Sequence, residues 1–524
     1  MSKVKFSYSI IFGIICSIIL VFYQANNTWV SINESENVTG CDSYGYARQA
    51  QLFREATNPI KGLDTSIKGE LQDIFYKWSL ETKLPKVEWY QMIAPHAHHF
   101  RVSTGKTINQ YPPGAGWLLS HLPEYKARRT LWIICYSLIT IMFINNIRNS
   151  NSRFTSIICM LMGMGSLYIT NTFVNRSDSI GPSCIIAILL SSLTTKSIYK
   201  IKERSLPCLK EIVLMGLLIG ISMSLRPGNL ILIIMPLSLL WIIARKNYYS
   251  LKKAVLGFGI SSIFSLTPFF VANKINTGSF FSTTYSSIDT NFDSSRFISN
   301  LLMVGESSED SIRIIIVVMA SMLFSIRLWK ITLSKKGNEE LKIVMIFSWF
   351  GMIMMTILMC LKPVYNLYYL APQLVMLMNA ISCISIIGSG CAMTKRRSFG
   401  SKWNSIYCCA ILIPLIGTMY MQPVKLETSP LKITDSSIVW ASGLGSELNY
   451  YYKINTAKLD FGTEKARQEI IAYLSLKGVN QYILDDESDI FKKFQEVSNG
   501  KHIKISKYKG REIYKYLPKN KNRI

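Results

Sequence analysis

Acidic residues are scarce in this sequence: 32 Asp and Glu stand against 58 Lys and Arg over 524 residues, a formal net charge of +26. So large a cationic excess raises the question of nucleic acid. Position answers it, because much of the Lys and Arg lies in short loops between apolar runs. There cations set membrane orientation and meet anionic lipid head groups, so membrane lipid is the expected partner and nucleic acid is not. Histidine is also rare, and three of the five occur together in "PHAHHF", which confines any imidazole metal site to one place. Nine of the eleven cysteines lie in apolar stretches, Cys208 is in a basic loop, and Cys41 alone sits in a long polar segment, so no disulfide framework is expected. No internal repeat or low-complexity tract stands out. Ionisable groups are almost missing from the middles of the apolar runs.

What the chain does have is long hydrophobic runs. It is 49% hydrophobic and only 17% charged, and stretches close to the ~20 residues needed to span hydrocarbon recur along it. The expected fold class is therefore a multi-span α-helical membrane protein. Eleven spans are read near 7–23, 131–147, 154–174, 180–195, 212–225, 228–244, 254–272, 314–330, 343–361, 368–391 and 405–421. The first follows Lys3 and Lys5 with no small-residue cleavage site after it, and reads as an uncleaved anchor.

The fifth and sixth spans are one apolar run broken at Arg226-Pro227-Gly228, where proline interrupts the helical ladder and glycine permits a turn. Charge distinguishes a hairpin from one long helix. With a hairpin, Lys3, Lys5, Arg148 and Arg153 share a face with "KSIYKIKER", "RKNYYSLKK", "RLWKITLSKK" and "TKRRSFGSK". A single crossing would put the last three clusters on the wrong side. The hairpin gives an odd span count and an outside C-terminus.

Two large pieces then lie outside, 24–130 and 422–524, with a smaller loop at 273–313. We take 1–421 as a transmembrane module carrying the 24–130 loop, and 422–524 as a separate α/β domain. In the latter, "SSIVWASG" reads as a strand entering a helix, "EKARQEIIAYLSLKG" as a helix, and "VNQYILDD" as a strand. "ESDIFKKFQEVSNG" reads as a second helix, and "HIKISKYKGREIYKYL" as a hairpin around Lys509-Gly510. The run after Pro112-Pro113 is too short to cross a membrane. It reads as a short amphipathic helix along the outer interface, its prolines in the first turn, or as a tight loop burying Trp117 and Leu118.

Just after the first span comes "TGCDSYGYARQAQLFRE". Asp42 precedes a helical stretch, where a carboxylate caps free N–H groups, and on this segment alone a cap is the better reading. The whole arrangement points further. One span, an outer loop opening Asp-x-Tyr-x-Tyr-Ala, then Tyr-Pro-Pro-Gly before the second span, resembles the lipid-dependent glycosyltransferases of the GT-C superfamily. The nearest likeness is to the family of protein O-mannosyltransferases and lipid A aminoarabinose transferases. It extends to "NRSDSIG" between spans three and four, to "LRPGN" at the broken pair, to "VYNLYYLAP" opening a late span, and to the outside C-terminal domain.

The resemblance implies an integral membrane glycosyltransferase of GT-C-like fold. It would move a sugar from a polyprenyl-phosphate donor to a hydroxyl of a cell-envelope glycan (lipopolysaccharide or O-antigen among them), a lipid or a protein. The expected location is a bacterial inner membrane, with the site on the outer face. A phosphate is already a good leaving group when cations hold its charge, and the acceptor hydroxyl needs a base. Asp42 matches the family's first-loop acid and is the expected base. Asp178 matches the second acid, which in relatives helps bind metal or acceptor; a helix cap is its plainer role. Arg226 and Arg176 sit where a donor phosphate is held, or where lipid head groups are anchored. Tyr365, Tyr368 and Tyr369 match the tyrosine-rich stretch, and as interfacial belt residues would look the same.

The sequence also departs from the family. Aminoarabinose transferases have an acid and a lysine just before Pro-Pro, whereas this chain has Gln110-Tyr111; Arg101 and Lys106 are the nearest substitutes for the lost lysine. A divalent metal is the one cofactor suggested, through His96, His98 and His99 with Asp42 or Asp178; an exposed polar loop is the blander account. Two rivals stay in view. A transporter predicts mid-membrane ionisable groups, of which there are almost none, and related halves, of which there is no sign. A polysaccharide polymerase or ligase typically places its large outer loop late among the spans, not after the first.

Overall fold

The first apolar stretch does not end where its hydropathy falls. In the computed structural model it is one helix, Ser2–Asn33. Its polar second half is tied to neighbours at two points: Gln24 Nε2 donates to Ser137 Oγ and to the Ala410 carbonyl, both at 3.1 Å, and Ser31 Oγ donates to Tyr136. The structure describes residues 2–34, 38, 41–202, 209–246, 248–285, 293–303, 309–334, 338–362, 367–388, 401–421, 437–486 and 489–519.

Among the described residues, nine helices are long and apolar enough to cross a membrane. The shorter apolar helices Leu209–Leu225 and Trp403–Met419 bring the number of apolar helices to the expected eleven. This is an integral, mostly helical membrane protein with a small C-terminal sheet domain.

The chain forms two units. The first comprises Met1–Glu34, Lys126–Thr267 and Ser287–Gln422. Its centre is the helix Ala371–Gly388, buried from Ala371 to Ile387 against Arg153–Val174, Ile180–Lys202 and Glu339–Cys360. At the rim, Tyr248–Thr277 leaves Ile260 and Phe264 exposed, as a lipid-facing helix does. The helix Leu209–Leu225 stops at Arg226, whose backbone is extended, and a 3₁₀ segment, Pro227–Ile233, leads into Ile234–Lys246. Both flanking helices pack on Ile180–Lys202. Gly216 and Gly220 let the first of them approach Tyr248–Thr277 backbone to backbone, since side chains there would meet the Phe258 and Ser262 carbonyls.

The second unit comprises Ser35–Tyr125, Pro268–Ser286 and Pro423–Ile524. Its sheet has five strands in the order Thr456–Ala457, Ser437–Trp440, Asn480–Leu484, Arg511–Pro518, Gly500–Tyr508. Ser437–Trp440 is parallel to both neighbours, and the other pairs are antiparallel. Parallel pairing needs crossovers, which the helices Gly445–Tyr452 and Glu464–Leu476 supply. The hairpin turns at Lys509-Gly510 as expected, both at positive φ.

The long loop after the first helix groups by contact with the C-terminal segment. Phe75, Trp78, Trp89 and Phe100 of the loop share one apolar core with Trp440, Ile470, Ile483 and Phe494. The loop is not mostly irregular. It folds into the helices Cys41–Glu55 and Glu70–Glu81 and a hairpin, His98–Arg101 with Lys106–Asn109. Arg101 Nη2 donates to the Thr283 carbonyl (2.8 Å) and Lys106 Nζ to that of Ile275 (3.1 Å), tying in the third stretch.

This meeting of three stretches bears on the broken span. They follow the first, seventh and eleventh apolar helices, and chain segments share one side of a bilayer only when an even number of crossings separates them. The run at Arg226 must therefore count as two crossings, as the charge distribution required.

Candidate functional site

In the second unit, Asp42 occupies the first turn of Cys41–Glu55, where the helix N-terminus favours negative charge. Tyr111 Oη donates to Asp42 Oδ1 at 2.6 Å, and Gln110 Nε2 donates to Tyr111 Oη at 3.1 Å. Asp42 Oδ2 is buried and carries no hydrogen bond among the described residues. One oxygen is thus clamped and the other held ready for a donor from elsewhere. An unsatisfied buried carboxylate oxygen is costly, and such groups persist where a ligand completes them.

Tyr111 is itself fixed on all sides. Gln49 Nε2 donates to its carbonyl (2.6 Å), its N–H donates to Asn109 Oδ1 (2.9 Å), and its ring lies 4.7 Å from that of Tyr46. The ring also lies flat over Gly45, which accounts for the glycine in Asp-x-Tyr-Gly-Tyr-Ala: a Cβ there would enter the Tyr111 ring and stand 2.8 Å from Ala97 Cβ. Gly45→Ala is expected to cost about 1–3 kcal/mol by overpacking and to loosen the Asp42 clamp, read as a lowered thermal midpoint together with a lowered activity. Gln110-Tyr111, a departure from the family pattern on sequence grounds, proves to be the support of the Asp42 carboxylate.

The short helix after the two prolines is real: Pro113–Ser120, with Pro112 as its cap and Pro113 in its first turn. It leaves Trp117 49% exposed and buries Leu119. Arg54 closes its end, donating to the carbonyls of Leu119 (2.8 Å) and Leu122 (3.0 Å).

The three clustered histidines are buried, not exposed. Their rings turn to different neighbours, His96 to Phe461, His98 to Tyr44 and His99 to Tyr90, and His96 Nδ1 lies 3.3 Å from Cys41 Sγ. Among the described residues no group of three or more His, Cys, Asp or Glu side chains is placed to hold a metal ion. Burial, reinforced by the nearby cation Lys458, holds all three down to about 3 and so keeps them neutral. The unfolded chain takes up protons near pH 6.5 and the folded chain does not, so stability falls as pH drops from there toward 3. The slope approaches about 1.4 kcal/mol per pH unit for each histidine. Thermal unfolding of the purified chain should show the midpoint declining between pH 7 and pH 5; a flat midpoint would mean that the rings reach water.

In the membrane unit, Asp178 is buried in the turn between Arg153–Val174 and Ile180–Lys202. Arg128 Nε donates to both its oxygens (3.0 and 2.9 Å), and Trp132 Nε1 donates to Oδ1 (3.0 Å). The flanking hydroxyls of Ser177 and Ser179 receive Arg226 Nη1 at 3.3 and 3.4 Å. The Arg226 guanidinium lies 4.5 Å from the ring centroids of both Tyr368 and Tyr369, and Lys362 Nζ stands 4.7 Å from the Tyr369 centroid. The Asp178 turn therefore organises two arginines, with a lysine close to the second. Arg176 is exposed in the same turn. Tyr365 lies outside the described residues.

The sequence reading missed Arg128. Its signal was the pair Arg128-Arg129 at the head of an apolar span on the side poor in cations, and both are buried. Arg129 Nη1 closes the first helix, donating to the carbonyls of Ile32 (3.0 Å) and Glu34 (2.9 Å). Arg101 and Lys106, expected as phosphate ligands, have donor groups engaged with backbone carbonyls.

The chain shares its fold with ArnT from Cupriavidus metallidurans, solved in the apo state, with a TM-score of 0.51 over 95% of this chain and 97% of that one. At 10% identity the likeness is one of fold. No protein-family model and no curated protein sequence matches the chain.

Proposed function

We propose that this protein is a membrane glycosyltransferase that moves a sugar from a polyprenyl-phosphate donor to a hydroxyl on a cell-envelope glycan, lipid or protein at the outer face of a bacterial inner membrane. The observation that carries the reading is the Asp42 carboxylate, with one oxygen held by Tyr111 and the other buried without a partner, in a chain whose fold matches ArnT along nearly its whole length.

In this reading the acceptor hydroxyl gives its proton to Asp42 Oδ2 as its oxygen bonds to the anomeric carbon. The bond from that carbon to the phosphate oxygen breaks, and the electron pair leaves with the lipid phosphate. With one base and no second carboxylate acting as nucleophile, the displacement is single and inverts the anomeric centre. The leaving phosphate gains negative charge, which fixed cations and hydroxyl donors must meet; within the membrane unit, Arg226 and Arg128 with Tyr368 and Tyr369 make up such a group. Asp178 is a positioning residue, since its oxygens are engaged by Arg128 and Trp132.

The test compares surface glycans of cells with and without the gene by mass spectrometry. A difference of one sugar mass, restored by the wild-type gene, supports transfer and identifies sugar and acceptor together. Identical envelopes would remove the reading.

A further inference from the structure

Within the second unit a cleft of about 650 Å³ opens beside the helix that carries Asp42, a volume typical of ligand sites. One wall is Arg48, Leu52 and Glu55, a stripe of that helix; the facing wall includes Asn449, Lys453 and Asn455 of the C-terminal segment. Tyr44, one turn before Arg48, donates to Asn449 Oδ1 at 2.5 Å and pins the two walls together.

The charges do not balance. Lys68 pairs with Asp64 (3.2 Å) and Lys453 with Glu55 (3.7 Å). Arg48 and Lys61 have no carboxylate partner among the described residues; Arg48 spends one nitrogen on Gln51 Oε1. Two uncompensated cations and two primary amides in a polar cleft call for an anion that also carries hydroxyls.

We infer that this cleft binds an acidic saccharide, its phosphate or carboxylate taken by Arg48 and Lys61 and its hydroxyls by Asn449 and Asn455. A guanidinium meets either anion with two parallel hydrogen bonds, and the lysine adds a point charge. As the seat of the acceptor this rests on the transferase reading. Arg48 lies six residues beyond Asp42, about 9 Å along the helix axis, so an acceptor reacting at Asp42 would carry its anionic group some two sugar lengths away. As an anion site the cleft stands independently.

The experiment uses the full chain in nanodiscs and measures binding without donor. Three fluorescent probes separate the chemistries: a phosphorylated mannose pentasaccharide, hexagalacturonate and uncharged maltohexaose. At least one charged probe should bind, more weakly as salt rises, and maltohexaose should not. Arg48→Gln with Lys61→Gln should weaken binding at least tenfold, whereas Arg48→Lys with Lys61→Arg retains it. The inference is overturned if neither charged probe binds, if maltohexaose binds as well as they do, or if the neutralised variant binds unchanged. Charged-probe binding in a chain that transfers no sugar would keep the cleft and sink the enzyme; transfer without such binding would sink the cleft alone.

Discussion

Asp42→Asn is expected to lower sugar transfer by about 10²–10⁴-fold, the usual contribution of a positioned general base, while the protein inserts and accumulates as wild type. The substitution keeps the size and planar shape of the side chain. The Tyr111 hydroxyl can still donate to the amide oxygen, so the clamp survives and the fold has no reason to yield. What is lost is the basic oxygen at the position of Oδ2, replaced by an amide that cannot accept a proton. Tyr111→Phe makes the complementary variant. It leaves the carboxylate but frees it to rotate, and a smaller loss of transfer is expected. The measurement is product formation from a defined polyprenyl-phosphate sugar, with the amount of folded protein checked by gel filtration. Near-normal turnover in Asp42→Asn would take the role from Asp42 whatever the fate of the donor site.

The largest expected effect on stability lies in the membrane unit. Asp178→Ala should cost about 3–5 kcal/mol, because it leaves the Arg128 guanidinium buried without its carboxylate and Trp132 Nε1 without its acceptor. The loss would appear as a lower thermal midpoint in detergent and reduced accumulation in cells. The cost belongs mainly to the stranded cation and not to the pair as such. Asp178→Leu combined with Arg128→Met should therefore recover most of the stability, a strongly non-additive cycle. Transfer should not return with it, since the Arg128 cation proposed to meet the phosphate is gone. Recovery of both stability and transfer would show that Arg128 does not meet the phosphate.

The two sites differ in how visible they were in the sequence. Asp42 reads as the base only through the resemblance carried by Asp-x-Tyr-x-Tyr-Ala and the later Tyr-Pro-Pro-Gly, since its own segment reads as a helix cap. Arg128 could not be named, because its partner is fifty residues away on another helix and nothing local demands the pairing. The histidines were misjudged for a related reason. A run with three imidazoles reads as polar, yet in a hairpin neutral rings pack like aromatics once Trp89, Phe100 and the C-terminal sheet supply a core.

The apolar runs by themselves determined that the chain crosses a membrane, and the asymmetry of Lys and Arg determined the hairpin at Arg226, because hydrocarbon length and head-group charge act on each segment separately. Local patterning likewise determined the strands and helices of the C-terminal domain. Tertiary structure alone decided that residues 35–125, 268–286 and 423–524 form one unit, that Tyr111 holds Asp42, and that Arg128 holds Asp178. Each of these depends on side chains far apart in sequence burying one surface or satisfying one charge together, and no window along the chain contains both partners.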